Sequence, residues 1–160
     1  MSGMFSGATK FYGDISRWNT GSVTDMGSMF REAEHFDRDI SRWNTGSVTL
    51  MGSMFRGATS FGRRDGDISS WNTTSVTDMQ GMFYDANFFN QNISGWNTGS
   101  VTDMSHMFEL APSFNQDLSG WDTGEVNVCF GMFITSGMED QPDKWPDLEG
   151  RCSVAMMTDG

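Results

Sequence analysis

The chain has 160 residues, of which 37% are hydrophobic, and a formal net charge of −11. This length suits one domain, and the negative charge argues against a nucleic-acid partner, because phosphates are bound by basic patches. No apolar run approaches the roughly 20 residues that span a bilayer, and the N-terminal "MSGMFSGATK" lacks the basic and apolar regions of a secretory signal. We therefore expect a protein without a membrane span, either kept inside the cell or trimmed from a longer chain.

Charge is divided unevenly between the two halves of the chain. Residues 1–64 carry eight basic and six acidic side chains, whereas residues 65–160 carry two and fifteen. If successive segments stack along one axis, the molecule has a neutral-to-basic end and an acidic end, which favours head-to-tail contacts between copies. A simply soluble acidic surface is the alternative.

A repeat of about 25 residues runs through most of the sequence. The phenylalanine of an "MF" pair recurs in steps of 25 residues, with one step of 28. These phenylalanines are Phe5, Phe30, Phe55, Phe83, Phe108 and Phe133. The longer step contains three extra residues around Arg63–Gly66, which we expect to form a surface bulge. A fixed period of this size is typical of stacked repeats, because one unit cannot bury its own apolar face.

Within each repeat, two patterns follow one another. From Met26 the apolar residues are spaced i, i+3, i+4, i+7 and i+10, which predicts a short helix capped by Thr24 or Asp25. The following "DRDISRWN" and "TGSVT" predict one or two very short strands joined by a turn. The sequence therefore predicts an α/β solenoid of about five to six coils over residues 1–134, with an irregular C-terminal cap over residues 135–160.

The repeat "MFxxAxxFxxDISxWNTxSVTDM" resembles that of BspA-like surface proteins, a group related to leucine-rich repeats, and the resemblance covers Met4 to about Phe133. It implies a leucine-rich-repeat-like stack that is displayed at the cell surface or outside the cell. It also implies a role in adhesion or protein contact, with no family catalytic residues. The chain departs from the pattern by opening almost directly on "MF", without a signal or an N-terminal cap, which suggests truncation or a partner over the first coil.

No catalytic constellation is visible in the sequence. The two histidines, His35 and His106, occupy non-equivalent repeat positions, and no phosphate-binding loop, nucleophile elbow or zinc spacing occurs. We therefore predict a protein that is not an enzyme and that has no cofactor. Two methionine rows have ligands suited to Cu(I), but methionine on an inward face is an adaptable core residue, and we predict that role. Similarly, we expect the repeated tryptophans to lie inside instead of forming a sugar-binding platform.

Two rows of acidic residues leave calcium as an alternative ligand. One row is Asp14, Asp39, Asp67 and Asp117, broken by Asn92; the other is Asp25, Asp78 and Asp103, broken by Leu50 and Val128. Carboxylates one coil apart can share Ca²⁺. The breaks favour turn fixing and capping instead, so a Ca²⁺-stabilised adhesion module is our third hypothesis.

The candidate binding surface is a grid of hydroxyl groups. If "TGSVT" is extended with its valine inward, the two threonines and the serine between them point outward on every coil. These residues are Thr20, Ser22, Thr24, Thr45, Ser47, Thr49, Thr73, Ser75, Thr77, Thr98, Ser100 and Thr102. Such an array, about 7 Å by about 5 Å, resembles the surfaces of ice-binding proteins. The alternative is that the hydroxyls satisfy turns and cap the following helix.

The two cysteines, Cys129 and Cys152, lie 23 residues apart, close to one repeat. Adjacent coils would bring them within disulfide distance, so we predict a candidate bridge. Such a bridge would lock the cap and indicate an oxidising compartment.

Our leading prediction is a non-catalytic repeat module whose regular surface binds a macromolecule, either a protein partner or another copy of the chain. Ice binding through the hydroxyl grid is the runner-up.

Overall fold

The repeats pair with one another through isolated parallel bridges. The computed structural model describes residues 1–64, 66–148 and 150. Each bridge joins a residue to its equivalent one repeat later, in the series Asp25, Leu50, Asp78, Asp103 and Val128. These bridge residues divide the chain into coil 1 (1–24), coil 2 (25–49), coil 3 (50–77), coil 4 (78–102) and coil 5 (103–127). The bridges lie one residue after each "TGSVT" segment, at the position of the expected helix cap, and neither "DRDISRWN" nor "TGSVT" itself forms a strand.

The short helix expected from Met26 is absent, and a run of tight turns takes its place. Alternate N–H groups donate to the carbonyl three residues earlier, as that of Met29 does to Met26 at 3.2 Å. The N–H groups between them donate to the next coil, as that of Ser28 does to Gly52 at 2.9 Å. Ser28 also has a φ of 54°, outside the α-helical region. An α-helix would use these N–H groups within one coil, and the hydrogen-bond ladder between coils would be lost.

Two columns of phenylalanine rings fill the interior. In the first column, equivalent rings of successive repeats lie 5.5–6.0 Å apart between centroids and are nearly parallel. The second column starts at Phe11 and has spacings of 5.7–6.0 Å. Within each coil the two columns stack on each other at 3.8–4.0 Å. Both methionine rows, from Met26 and from Met29, are buried against them, which confirms their predicted core role.

Tryptophans form a third column beside the phenylalanines. The indole N–H of each interior tryptophan donates to an isoleucine carbonyl of the preceding coil at 3.1–3.2 Å. These residues are Trp43, Trp71, Trp96 and Trp121, and all are buried. The predicted inward position is therefore confirmed for them, and the hydrogen bond satisfies the one polar atom of each ring.

Asx turns make the corners of the coils. Asp25, Asp39 and Asn44 each accept, through a side-chain oxygen, the N–H two residues further on, at 2.8, 2.9 and 3.1 Å. Asn92 does the same at 3.1 Å in the row that it interrupts. Short polar side chains are favoured at such corners because they hydrogen-bond their own backbone. The recurrence of Asp and Asn is thus explained by turn geometry.

The C-terminal end departs from the repeat. A 3₁₀ helix, Pro142–Lys144, precedes Trp145, whose ring stacks on Phe133 at 5.0 Å. Cys129 is buried in the last repeat, whereas Cys152 lies outside the described residues, so the proposed bridge stays a prediction. Among the described residues, no helix has the length and apolar character to cross a membrane.

Candidate binding surface

One third of the predicted hydroxyl grid points inward, which corrects the sequence analysis. Thr20, Thr45, Thr73 and Thr98 are each 1% exposed. Their hydroxyls donate to a backbone carbonyl of the next coil at 3.0, 3.0, 2.9 and 2.7 Å. Side chains do not alternate between the two faces of this segment, because its backbone turns and is not extended. The Asn19 side chain accepts a hydrogen bond from the Gly21 N–H in an Asx turn, and the Val23 N–H donates to the Thr20 carbonyl. The buried threonines therefore join coils and do not form a surface.

The other eight predicted residues form two outward rows, which we call the hydroxyl face. They are Ser22, Thr24, Ser47, Thr49, Ser75, Thr77, Ser100 and Thr102; Thr77 is half-buried and the rest are exposed. The threonine hydroxyls donate down the row: Thr49 to the Thr24 carbonyl at 3.2 Å, Thr77 to Thr49 at 3.3 Å, and Thr102 to Thr77 at 3.1 Å. Because these protons are committed, the threonine oxygens face solvent mainly as acceptors.

The bridge residues form a third row beside the hydroxyl face. Asp78 lies between Leu50 and Asp103 in this row. Burial raises the pKa of the Asp78 carboxyl above its ordinary value, and the negative charges of Asp103 and Asp25 raise it further. The Gln80 N–H donates to this carboxyl at 2.8 Å and lowers its pKa, but the rise is larger. In the described part of the chain, no three Asp, Glu, His or Cys side chains group as metal ligands. The acidic rows therefore give calcium no support there.

The two histidines are engaged in unrelated contacts. The Nδ1 of His35 lies 2.7 Å from the Thr9 carbonyl oxygen, which can only accept a hydrogen bond, so Nδ1 is the donor of this contact. His106 forms a close pair with Glu109 and meets the ring of Phe130 edge-on at 4.6 Å between centroids. Each ring thus has a structural contact within the stack.

A second surface, which the sequence analysis did not identify, is an open cleft of about 450 Å³ on one side of coils 1 to 3. We call it the basic cleft; its lining residues are Lys10, Tyr12, His35, Asp37, Ser60, Arg63 and Arg64. Arg63 and Arg64 lie at the three-residue insertion that was expected to form a surface bulge, and both are exposed. The available signal was the pair of arginines at the one break in the period, since insertions in repeat proteins collect on one face, often the binding face.

These observations define a repeat protein whose coils stack in register. The chain belongs to the family DUF285, described as Mycoplasma protein of unknown function, whose sequence pattern matches residues 1–66 and again residues 63–157. The two matches meet at the insertion. No curated protein and no solved structure matches the chain.

Proposed function

We propose that this chain is a non-catalytic repeat module, a leucine-rich-repeat-like solenoid of the BspA-like type in which tight turns replace the helices. Its regular surface binds a protein partner or another copy of the chain. The observation that supports this function is the hydroxyl face, where eight equivalent side chains lie in two outward rows and hydrogen bonds between coils set their positions.

Two properties suit the hydroxyl face to protein contact. Its side chains are short and several are already held by hydrogen bonds, as Ser47 is to the Gly21 carbonyl at 2.9 Å, so binding would immobilise few additional rotamers. Serine hydroxyls also provide adaptable hydrogen bonding in antibody paratopes. Leu50, which is exposed beside the rows, adds an apolar contact. The resemblance to BspA-like proteins supports a position at the cell surface or outside the cell.

Ice binding is the second candidate function. Two rows of hydroxyls that recur once per coil are a feature that a crystalline surface can match. The face is narrower than expected because the first threonine row is buried. The Thr49 hydroxyl donates to the Thr24 carbonyl, so its proton is not available to donate to ice. We therefore rank this function below protein contact.

The two functions can be separated with a matched pair of double variants. Ser75→Lys with Ser100→Lys places two charged side chains in the hydroxyl face, whereas Ser70→Lys with Ser113→Lys adds the same charges at exposed serines outside it. Sedimentation velocity over a concentration series measures self-association, and capture from native surface extract measures partner binding. We expect the first pair to weaken association at least about 10-fold and the control pair less than about 2-fold.

Each other outcome has a defined meaning. A wild-type protein that stays monomeric at every concentration and captures nothing contradicts the proposed function. Thermal hysteresis in the wild type, lost only with Ser75→Lys and Ser100→Lys, would replace it with ice binding.

A further inference from the structure

We propose that the basic cleft binds a carboxylate-rich protein segment of the kind that residues 139–147 of another copy present. This inference rests on the proposed function, because it names the chemistry of a partner. It concerns a surface separate from the hydroxyl face, so the two surfaces can be tested independently.

The cleft depends on two close contacts between coil 2 and the glycines at either end of the insertion. Gly66 has a φ of 88°, and a Cβ there would lie 2.8 Å from the Arg38 carbonyl oxygen, so a glycine is required for this close return. The N–H of Gly62 donates to a carboxylate oxygen of buried Asp37 at 3.1 Å, which fixes the start of the insertion to coil 2. Arg63 and Arg64 are thereby held next to residues from coils 1 and 2.

The lining is rich in donors that suit an anion. Among the described lining residues, Lys10, Arg63 and Arg64 bring three cations against one carboxylate, that of Asp37, in a chain whose net charge is −11. The Asp37 carboxylate accepts a hydrogen bond from the Gly62 N–H. A guanidinium presents five N–H donors in a planar fork that matches a carboxylate. This concentration of positive charge is the reason to assign an anionic ligand.

Aromatic rings contact two arginines, one in the lining of the cleft and one beside it. The guanidinium carbon of Arg63 lies 4.4 Å from the centre of the Phe88 ring in coil 4. Arg38 covers the Tyr12 ring at 3.4 Å and donates through Nε to the Tyr12 carbonyl at 2.9 Å, so this wall is braced between coils 1 and 2. Stacked guanidinium groups lose less freedom when they bind, and this preorganisation favours affinity.

The chain itself contains a segment with the complementary chemistry. Residues 139–147, "EDQPDKWPD", carry four carboxylates against one lysine, and Asp140, Asp143 and Asp147 are exposed. The segment lies after coil 5, whereas the cleft lies on coils 1 to 3. Pairing between copies would therefore join the acidic end of one molecule to the basic side of the next, an end-to-side contact that the uneven charge distribution also favours.

The test uses a fluorescein-labelled peptide of residues 138–148 and the full chain, with binding followed by fluorescence anisotropy. We expect Arg63→Glu with Arg64→Glu to weaken binding at least about 10-fold. The matched control, Arg17→Glu with Arg42→Glu, changes the net charge equally at exposed arginines outside the lining, and we expect less than about a 2-fold loss. Arg63→Lys with Arg64→Lys keeps the charge but removes the planar fork, so an intermediate loss of about 3-fold is expected.

Three outcomes would overturn the inference. Equal losses in both arginine-to-glutamate pairs would show nonspecific attraction, and equal binding of a peptide with amides in place of its carboxylates would remove the ionic basis. Binding of inorganic phosphate or a sulfated oligosaccharide without binding of the peptide would assign the cleft to a different ligand. If the cleft fails in these ways while Ser75→Lys with Ser100→Lys still weakens association, the proposed function stands without this inference.

Discussion

Coil 1 and coil 4 carry nearly the same sequence pattern, yet they differ in how completely they are buried. Met4 is 52% exposed and its equivalent Met82 is fully buried; Trp18 is 38% exposed and Trp96 only 4%. In the described part of the chain, coil 1 has a neighbouring coil on one side and coil 4 has one on each side. The comparison shows that burial of these side chains comes from adjacent coils and not from the sequence of the coil that carries them.

The largest expected contrast is between the phenylalanines of these two coils. Phe83 is fully buried between Phe55 and Phe108, so Phe83→Ala should lower the free energy of unfolding by about 3–5 kcal/mol. Phe5 is only partly buried, and Phe5→Ala should lower it by about 1–2 kcal/mol, because less area leaves water on folding. Urea unfolding of both variants measures the contrast. Equal losses would show that coil 1 is as strongly coupled to the stack as coil 4.

The buried threonines give a smaller contrast. Thr73→Val keeps the shape but removes the donor to the Asn97 carbonyl, and we expect a loss of about 1–2 kcal/mol. Thr20→Val removes the equivalent bond to Asn44, but coil 1 can open locally without the interior coils. We expect Thr20→Val to increase amide exchange mainly in coil 1, with a smaller change in global stability. Thr74→Val, at an exposed threonine of the same coil as Thr73, is the control for the substitution itself. Widespread faster exchange in Thr20→Val would contradict local opening.

Carboxylates in the two coils should respond to pH in opposite directions. Burial raises the pKa of Asp78 in the folded state above its unfolded-state value of 3.8. The contribution of Asp78 to the free energy of unfolding is therefore most favourable below pH 3.8 and declines as the pH rises through the folded-state pKa. Asp78→Asn keeps an acceptor for the Asx turn and should stabilise the protein at neutral pH. After allowance for solvent screening, we expect the substitution to raise the free energy of unfolding by about 0.5 kcal/mol or less, and to have no effect below pH 3.8.

Asp14 in coil 1 is the opposing case. Hydrogen bonds from the backbone N–H and side chain of Ser16 lower the pKa of the Asp14 carboxyl below 3.8. Its contribution is therefore present above 3.8 and is lost as the pH falls through the lower folded value. Asp14→Asn should destabilise slightly at neutral pH. Thermal unfolding across pH tests both residues, and parallel pH profiles for the two variants would refute this assignment.

The smallest expected effect is that of metal removal. Because the described residues contain no group of three potential ligands and Asx turns account for the acidic rows, EDTA should leave the melting temperature unchanged. Differential scanning fluorimetry with and without EDTA measures this. A lower melting temperature that added Ca²⁺ restores would revive the calcium-stabilised module.

The sequence predicts the period and the buried set well, but not the local backbone. The spacing from Met26 identifies the inward side chains correctly, yet both an α-helix and a run of three-residue turns return a side chain to the same face every third or fourth residue. The two structures differ in where N–H groups donate. Whether an N–H group donates within its own coil depends on which carbonyl groups the next coil offers, and the sequence of one repeat does not predict this.

Thr20 and Arg63 show two further limits. The alternation of side chains in a strand predicts that Thr20 points outward, but the Asx turn at Asn19 directs it inward. The Asn-Thr-Gly sequence does carry a signal for that turn. The basic cleft combines Lys10, His35 and Arg63 from three coils. Its shape depends on how the insertion folds back, and no pattern within a single repeat specifies this.

The insertion also has a practical consequence for protein engineering. Ring spacing in the second phenylalanine column is 6.0 Å both before it, from Phe36 to Phe61, and across it, from Phe61 to Phe89. The indole of Trp71 still reaches the Ile40 carbonyl at 3.2 Å across it. The interior therefore keeps its packing across the insertion despite the added length. Foreign recognition loops could be grafted there while the rest of the scaffold keeps its alignment.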